Sequence, residues 1–245
     1  MRINTLLVSS LVLTSGAFAQ DAVVSVSTPA SADVLTLVEQ ASVYVHSDSA
    51  STLTAFDTTI LAHLIGLDWH VTLPVYTSDV SGYGALDLGV SWDFLTGGNM
   101  LGATTKLTVT GGALMPTGSA GYETTEVTPY FGGGVSMNWG KVSFVQTANY
   151  TFVTGSTFNP LAGTLSENTL ALSSNLGYDV SDTFVVGLNL TQEYFSGGNV
   201  AVLGPTVDWT VAPSVSVEVG VGFPVWQELA VENTCVVNAG VSFKF

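Results

Sequence analysis

The chain has 245 residues, of which 47% are hydrophobic and only 9% charged, and its formal net charge is −15. An ordinary soluble domain carries roughly 25% charged residues, so this chain lacks the material for a charged skin. With 4 Lys and Arg against 19 Asp and Glu, it also excludes nucleic acid as a partner, because such binding rests on many cationic contacts to phosphate.

The first stretch, MRINTLLVSSLVLTSGAFAQ, has one positive residue (Arg2), an apolar run from Leu6 to Leu13 and small residues at Ala17 and Ala19. That layout predicts a secretory signal peptide over 1–19, cut after Ala19. The run is too short for an uncleaved anchor, and no later segment offers the roughly 20 consecutive apolar residues of a spanning helix. Export removes the only arginine and leaves Lys106, Lys141 and Lys244 as the cations. A short periplasmic segment, 20–33, then leads into the folded part, 34–245. Cys235 is the lone cysteine, so an intrachain disulfide is excluded.

From residue 34 onward apolar and polar side chains alternate with a period of two, the mark of a strand with one greasy face. In ALDLGVSWDFL, Leu86, Leu88, Val90, Trp92 and Phe94 interleave with Asp87, Gly89, Ser91 and Asp93. The pattern predicts twelve strands: 34–46, 53–65, 68–77, 84–95, 103–114, 124–138, 141–153, 167–179, 182–194, 199–210, 213–224 and 232–245. Each is long enough to cross a bilayer as a tilted strand of about 9 to 11 residues. Short connections near 66–67, 139–140, 180–181 and 211–212 alternate with long ones such as MPTGSAGYE and GSTFNPLAGTLSE, as tight periplasmic turns alternate with external loops. TGGNMLG, 96–102, is the exception among the short set.

Aromatic residues gather at strand ends, where interfacial girdles belong. Phe94, Trp139, Tyr178, Trp209 and Phe243 mark one end, and Tyr44, Tyr76, Tyr150, Tyr194 and Phe223 the other. The expected fold is therefore all-β, a transmembrane antiparallel up-and-down β-barrel of about 12 strands in the outer membrane of a Gram-negative bacterium. A secreted sandwich would need a polar outward face. The closing VVNAGVSFKF alternates to its end, and Phe243 with Phe245 forms the expected signal for the outer-membrane assembly machinery.

Nothing in the sequence points to an enzyme or a cofactor. His63 and His70 flank a turn without metal-ligand spacing, and His-x-Ser, the arrangement of outer-membrane lipases, does not occur. The glycines of YFGGGV sit inside a strand pattern with no following helix or lysine, so they let the wall bend or approach what fills the lumen. The inward face is the candidate site: Asp87, Asp93, Lys106, Thr108, Tyr130, Asn149, Asn175, Asn189, Glu193, Asp208 and Glu218. Barrels of about eight strands are filled, and those of about sixteen hold an aqueous channel. Twelve strands predict a narrow pore for passive uptake of a small-molecule solute, with a non-transporting structural or surface-interaction barrel with a plugged lumen as the alternative.

HVTLPVY, GYGALDLGVSW, GGALMPTG, LGYDVSDTF and LGPTVDWTVAPSVSVEVGVGFPV together resemble the transporter-like outer-membrane family named for the meta-pathway of phenol degradation. The likeness runs from about residue 57 to the end, through Leu73-Pro74, Asp87, Gly89, Pro116-Thr117-Gly118, Gly204-Pro205 and Pro213. It implies passage of small, often aromatic or hydrophobic compounds across the outer membrane. Leu86, where the family pattern expects glycine, and the lack of arginine are departures.

Overall fold

Period-two alternation leaves each strand one apolar and one polar face, and a closed sheet satisfies both faces without exposing an edge. In the computed structural model, which describes residues 35–46, 52–78, 81–228 and 233–245, the strands are β1 Leu35–His46, β2 Thr52–Leu64, β3 Leu67–Thr77, β4 Ser81–Tyr83, β5 Asp87–Met100, β6 Ala103–Leu114, β7 Thr128–Asn138, β8 Val142–Thr151, β9 Thr157–Asn159, β10 Gly163–Leu165, β11 Thr169–Ser181, β12 Phe184–Phe195, β13 Gly198–Ala212, β14 Val215–Gln227 and β15 Asn233–Lys244. The signal peptide and the 20–33 segment lie outside the described residues.

Twelve of the strands form the wall, each antiparallel to its neighbours, and β15 closes on β1 from Thr36↔Lys244 to Val45↔Cys235. The three-residue β4 lies beside the end of β3, and β9 with β10 makes a separate hairpin. At the end of the barrel that holds Leu35 and Phe245, all connections are short: 65–66, 101–102, 139–141, 182–183 and 213–214. These turns fall one or two residues from the predicted positions. In two of them both residues have positive φ, Ile65 with Gly66 and Leu101 with Gly102, as tight hairpins require.

The TGGNMLG exception disappears. Residues 96–100 belong to β5, which passes two bulges and pairs with β6 as far as Met100↔Ala103. At the opposite, outer end the connections are longer, apart from 196–197 between β12 and β13.

The outward face carries the apolar set. Trp69, Trp92, Phe94, Trp139, Tyr178, Trp209 and Phe243 are exposed towards the short-turn end, and Phe131, Phe152, Phe223 and Trp226 towards the outer end. Tyr44 and Tyr76 depart from expectation. They are buried, at 0% and 5% exposure, because their parity directs them into the barrel, where they join an apolar core instead of the outer girdle.

Two polar pairs sit on the lipid face and satisfy each other. Ser174 donates to Gln146 Oε1 at 2.6 Å while Gln146 donates to the carbonyls of Ser173 and Thr147. Thr58 donates to Glu39 Oε2 at 2.9 Å across β1 and β2.

Candidate functional site: a three-level lumen

The interior is layered along the barrel axis. At the outer end the loop 152–168 turns inward. Its hairpin carries Leu161, 2% exposed, and Phe158 into a core with Tyr44, Leu53, Tyr76, Tyr122, Val200, Val202 and Val236. Phe158, Tyr76 and Tyr122 meet with ring centroids 4.9 to 5.1 Å apart, a geometry that favours tilted and edge contacts between aromatic rings.

Loop 152–168 is stitched to loop 115–127 by the Thr124 and Thr157 hydroxyls at 2.8 Å and by Thr125 N–H to Ser156 O at 2.9 Å. Asn159 fixes the hairpin tip. Its Oδ1 accepts from the amides of Leu161 and Ala162, and its Nδ2 donates to Glu193 Oε2 at 2.8 Å in a buried contact. The outer mouth is thus filled by non-covalent packing of one loop.

Along the β3–β5–β7 wall runs a buried polar chain. Tyr130 donates to Asp87 Oδ1 at 2.9 Å, so its oxygen accepts from His70 Nε2, also at 2.9 Å; His70 Nε2 lies 3.5 Å from Asp87 Oδ2. Tyr130 crosses two strands to reach His70 because Gly112 and Gly89 lie in its path. A β-carbon at either would collide with the tyrosine. Further along β5 and β6, Lys106 pairs with Asp93 at 2.7 Å and Thr108 donates to the same carboxylate at 2.7 Å.

Below the plug, against β12–β15 and β1, is a cavity bordered by Ser42, Asn189, Thr191, Thr206 and Asn238. Under it, towards the short-turn end, a second cavity is bordered by Gln40, Asp208, Thr210, Ser216, Glu218 and Ser242, and Asn238 borders both. Asp208 and Glu218 are cross-strand partners on β13 and β14.

A family model described as "Putative MetA-pathway of phenol degradation" matches residues 15–245. The chain belongs to that family. No curated protein is significantly similar to it. Among solved structures, this family member is similar to the COG4313 outer membrane channel from Pseudomonas putida F1 (TM-score 0.61, 14% identity, 89% of this chain and 97% of that one). It is also similar to the NanC porin (TM-score 0.57, 12% identity, 85% and 100%) and to a KdgM porin in complex with disordered oligogalacturonate (TM-score 0.56, 10% identity, 86% and 99%). At such identities the likeness is one of fold, that of outer-membrane β-barrels.

The structure distributes the sequence-derived lining of this family member among several places in the barrel. Asp87 and Tyr130 belong to the buried chain with His70, and Asp93, Lys106 and Thr108 form one cluster. Glu193 holds the plug, Asn189 borders the middle cavity, and Asp208 and Glu218 border the lower one. Asn149, on the neighbouring strand β8, is 1% exposed and rests where a β-carbon on Gly132 would sit. Asn175 shares the β11–β12 inner face with Asn189, directly opposite it.

Lys141 lies exposed in the turn 139–141. Phe243 faces outward, and the amide of Phe245 donates to Leu35 O at 2.9 Å, across the seam. His70, Asn159 and Leu161 are the residues that sequence reasoning passed over. For the last two the signal was FNPLAG, an apolar patch inside an otherwise polar loop.

Among the described residues no group of three or more His, Cys, Asp or Glu side chains is placed to hold a metal ion. His63 bonds Asp68 across the turn at 2.7 Å.

Proposed function

We propose that the protein is a passive outer-membrane channel for small solutes, gated at its outer mouth by loop 152–168. The observation that carries this reading is the layered lumen. Two cavities that share Asn238 lie beneath a closure made of side-chain packing and a few hydrogen bonds, among them Asn159 to Glu193 and the Thr124–Thr157 contact between loops. A lumen meant to stay shut needs no such polar interior, since a fully packed apolar one would be more stable.

The family's description supports aromatic or hydrophobic compounds as cargo, and so does the ring cluster of Tyr76, Tyr122 and Phe158 at the mouth. The second reading, a structural barrel with a permanent plug, draws on the same loop, because Leu161 is as buried as a core residue. Planar-bilayer recordings separate the two. Wild-type protein should show discrete openings, and Leu161→Ser with Asn159→Ala should open more often or more widely. Silence from both, in protein shown to be folded by heat-modifiable migration, would favour the structural barrel.

A further inference from the structure

Two tight turns at the short-turn end carry an unexpected residue at the tip. Hairpins with positive φ at both central positions favour asparagine or aspartate before glycine, because those side chains tolerate the left-handed region. Here Ile65 (φ 59°) and Leu101 (φ 52°) hold that place, where a β-branched or bulky residue is an outlier. They are also the most exposed large apolar side chains among the described residues, at 96% and 83%. Water offers no return for either departure, so an outlier of this kind points to a function for the side chain.

The tips belong to a longer apolar row. Leu64 and Met100, the residues just before them, are exposed, as are Trp69 beside the first and Phe94 and Leu95 above the second. In the next turn along the wall, 139–141, Trp139 is exposed and its Nε1 donates to Leu101 O at 3.1 Å. Phe245, 74% exposed, extends the row on the other side. Strands β15, β1, β2, β3, β5, β6, β7 and β8 follow one another in the wall, so Phe245, Ile65, Leu101 and Trp139 occupy one arc of the rim. The remaining arc is polar at its tips: turns 182–183 and 213–214 read Asp-Thr and Pro-Ser.

The form of the row selects its occupant. Tips of neighbouring hairpins stand about 10 Å apart, so they are points along a rim and make no groove for a protein segment to fill. They continue the lipid face just beyond the belt of Trp69, Trp92 and Trp139, the level at which headgroups meet acyl chains.

We propose that this arc is a lipid-insertion surface. Ile65 and Leu101 enter the headgroup–acyl boundary of the periplasmic leaflet, while turns 182–183 and 213–214 stay in water, so the barrel sits tilted in the bilayer. Burial of the two aliphatic chains offsets their left-handed backbone. The ligand is the glycerol and upper acyl region of phospholipid, with no particular headgroup.

The test uses the full barrel in phosphatidylcholine liposomes, in a Cys235→Ser background, with a nitroxide label on cysteine introduced at position 65, 101, 182 or 214. Oxygen concentrates in hydrocarbon and a nickel chelate in water. The ratio of oxygen to nickel relaxation should be several-fold higher at 65 and 101 than at 182 and 214. Equal ratios at all four positions would overturn the proposal and leave the tips free for a periplasmic protein. Exclusion of both reagents from 65 and 101 would overturn it as well, because protein would then cover them.

A second variant needs no label. Ile65→Asn with Leu101→Asn gives each turn the residue that its backbone favours, so the hairpins should still form. Tips standing in water would gain from the exchange, whereas inserted tips lose their lipid contact. The urea midpoint of the double variant in liposomes should therefore fall below that of wild type, and a midpoint that rises or stays would overturn the insertion. Neither measurement involves conductance, so the channel reading stands or falls separately.

Discussion

Inside this barrel one cation is matched locally by an acid. Lys106 has a side chain only 8% exposed and lies 2.7 Å from Asp93, whose other contact is the Thr108 hydroxyl. Removing one member of a buried pair strands the other, which costs several kcal/mol when both are buried and less when one reaches water. Asp93 is 27% exposed, so Lys106→Met should destabilise the barrel by about 2 kcal/mol. Asp93→Asn added to it should recover most of that loss. Denaturant midpoints of the refolded single and double variants check this, and a double variant as weak as the single one would show that the charges are independent.

The lipid-facing pairs follow the same rule by other means. Gln146 and Ser174 spend their hydrogen-bonding groups on each other and on strand carbonyls, because hydrocarbon offers no partner.

At the scale of the element, a strand's identity is its parity. On β12, Leu188 is 46% exposed towards lipid while its neighbour Asn189 borders the middle cavity. On β14, Val219 is 48% exposed outward while Ser216 borders the lower cavity. Leu188→Arg or Val219→Arg should therefore cost about 2 to 4 kcal/mol near the bilayer midplane, and Ser216→Arg much less, since its side chain meets water. Reversible unfolding from liposomes measures the difference, and equal costs would mean the faces are assigned the wrong way round.

The loop 152–168 is an element of another kind. It owes its place to Phe158 and Leu161, which find an apolar core only because β1, β2, β3, β13 and β15 present one at the outer end.

For the whole molecule the consequence is selectivity. Of the inward acids, Asp87 is tied to Tyr130 and His70, Asp93 to Lys106 and Glu193 to the plug. Asp208 and Glu218 border the lower cavity, and they contribute to the sign of the field that an ion meets on that side. An open pore should prefer cations modestly, and the preference should weaken as salt rises, since screening acts within about 8 Å at physiological ionic strength. Reversal potentials across a KCl gradient should lose that preference in Asp208→Asn with Glu218→Gln and keep it in Glu193→Gln. An anion preference in the wild type would contradict the assigned lining.

What the linear sequence determines here is the wall. Alternation fixes which residues face lipid, so twelve strands, the outward Leu188 and Val219 and the inward Asp87, Lys106 and Tyr130 were all legible, each depending only on neighbours in the chain. Boundaries were less so, as the extension of β5 through Thr96–Met100 shows, because a glycine-rich stretch joins a ladder only when a partner strand offers hydrogen bonds.

The contents of the barrel were not legible. Tyr44 and Tyr76 read as girdle residues until the loop brought Phe158 and Leu161 against them. His70 acquires a role only when Gly89 and Gly112, on separate strands, clear a path for Tyr130. Alternation is a local property, whereas closure of the sheet brings β3 beside β5 and folds one loop over several strands. Contacts of that kind belong to the tertiary structure alone.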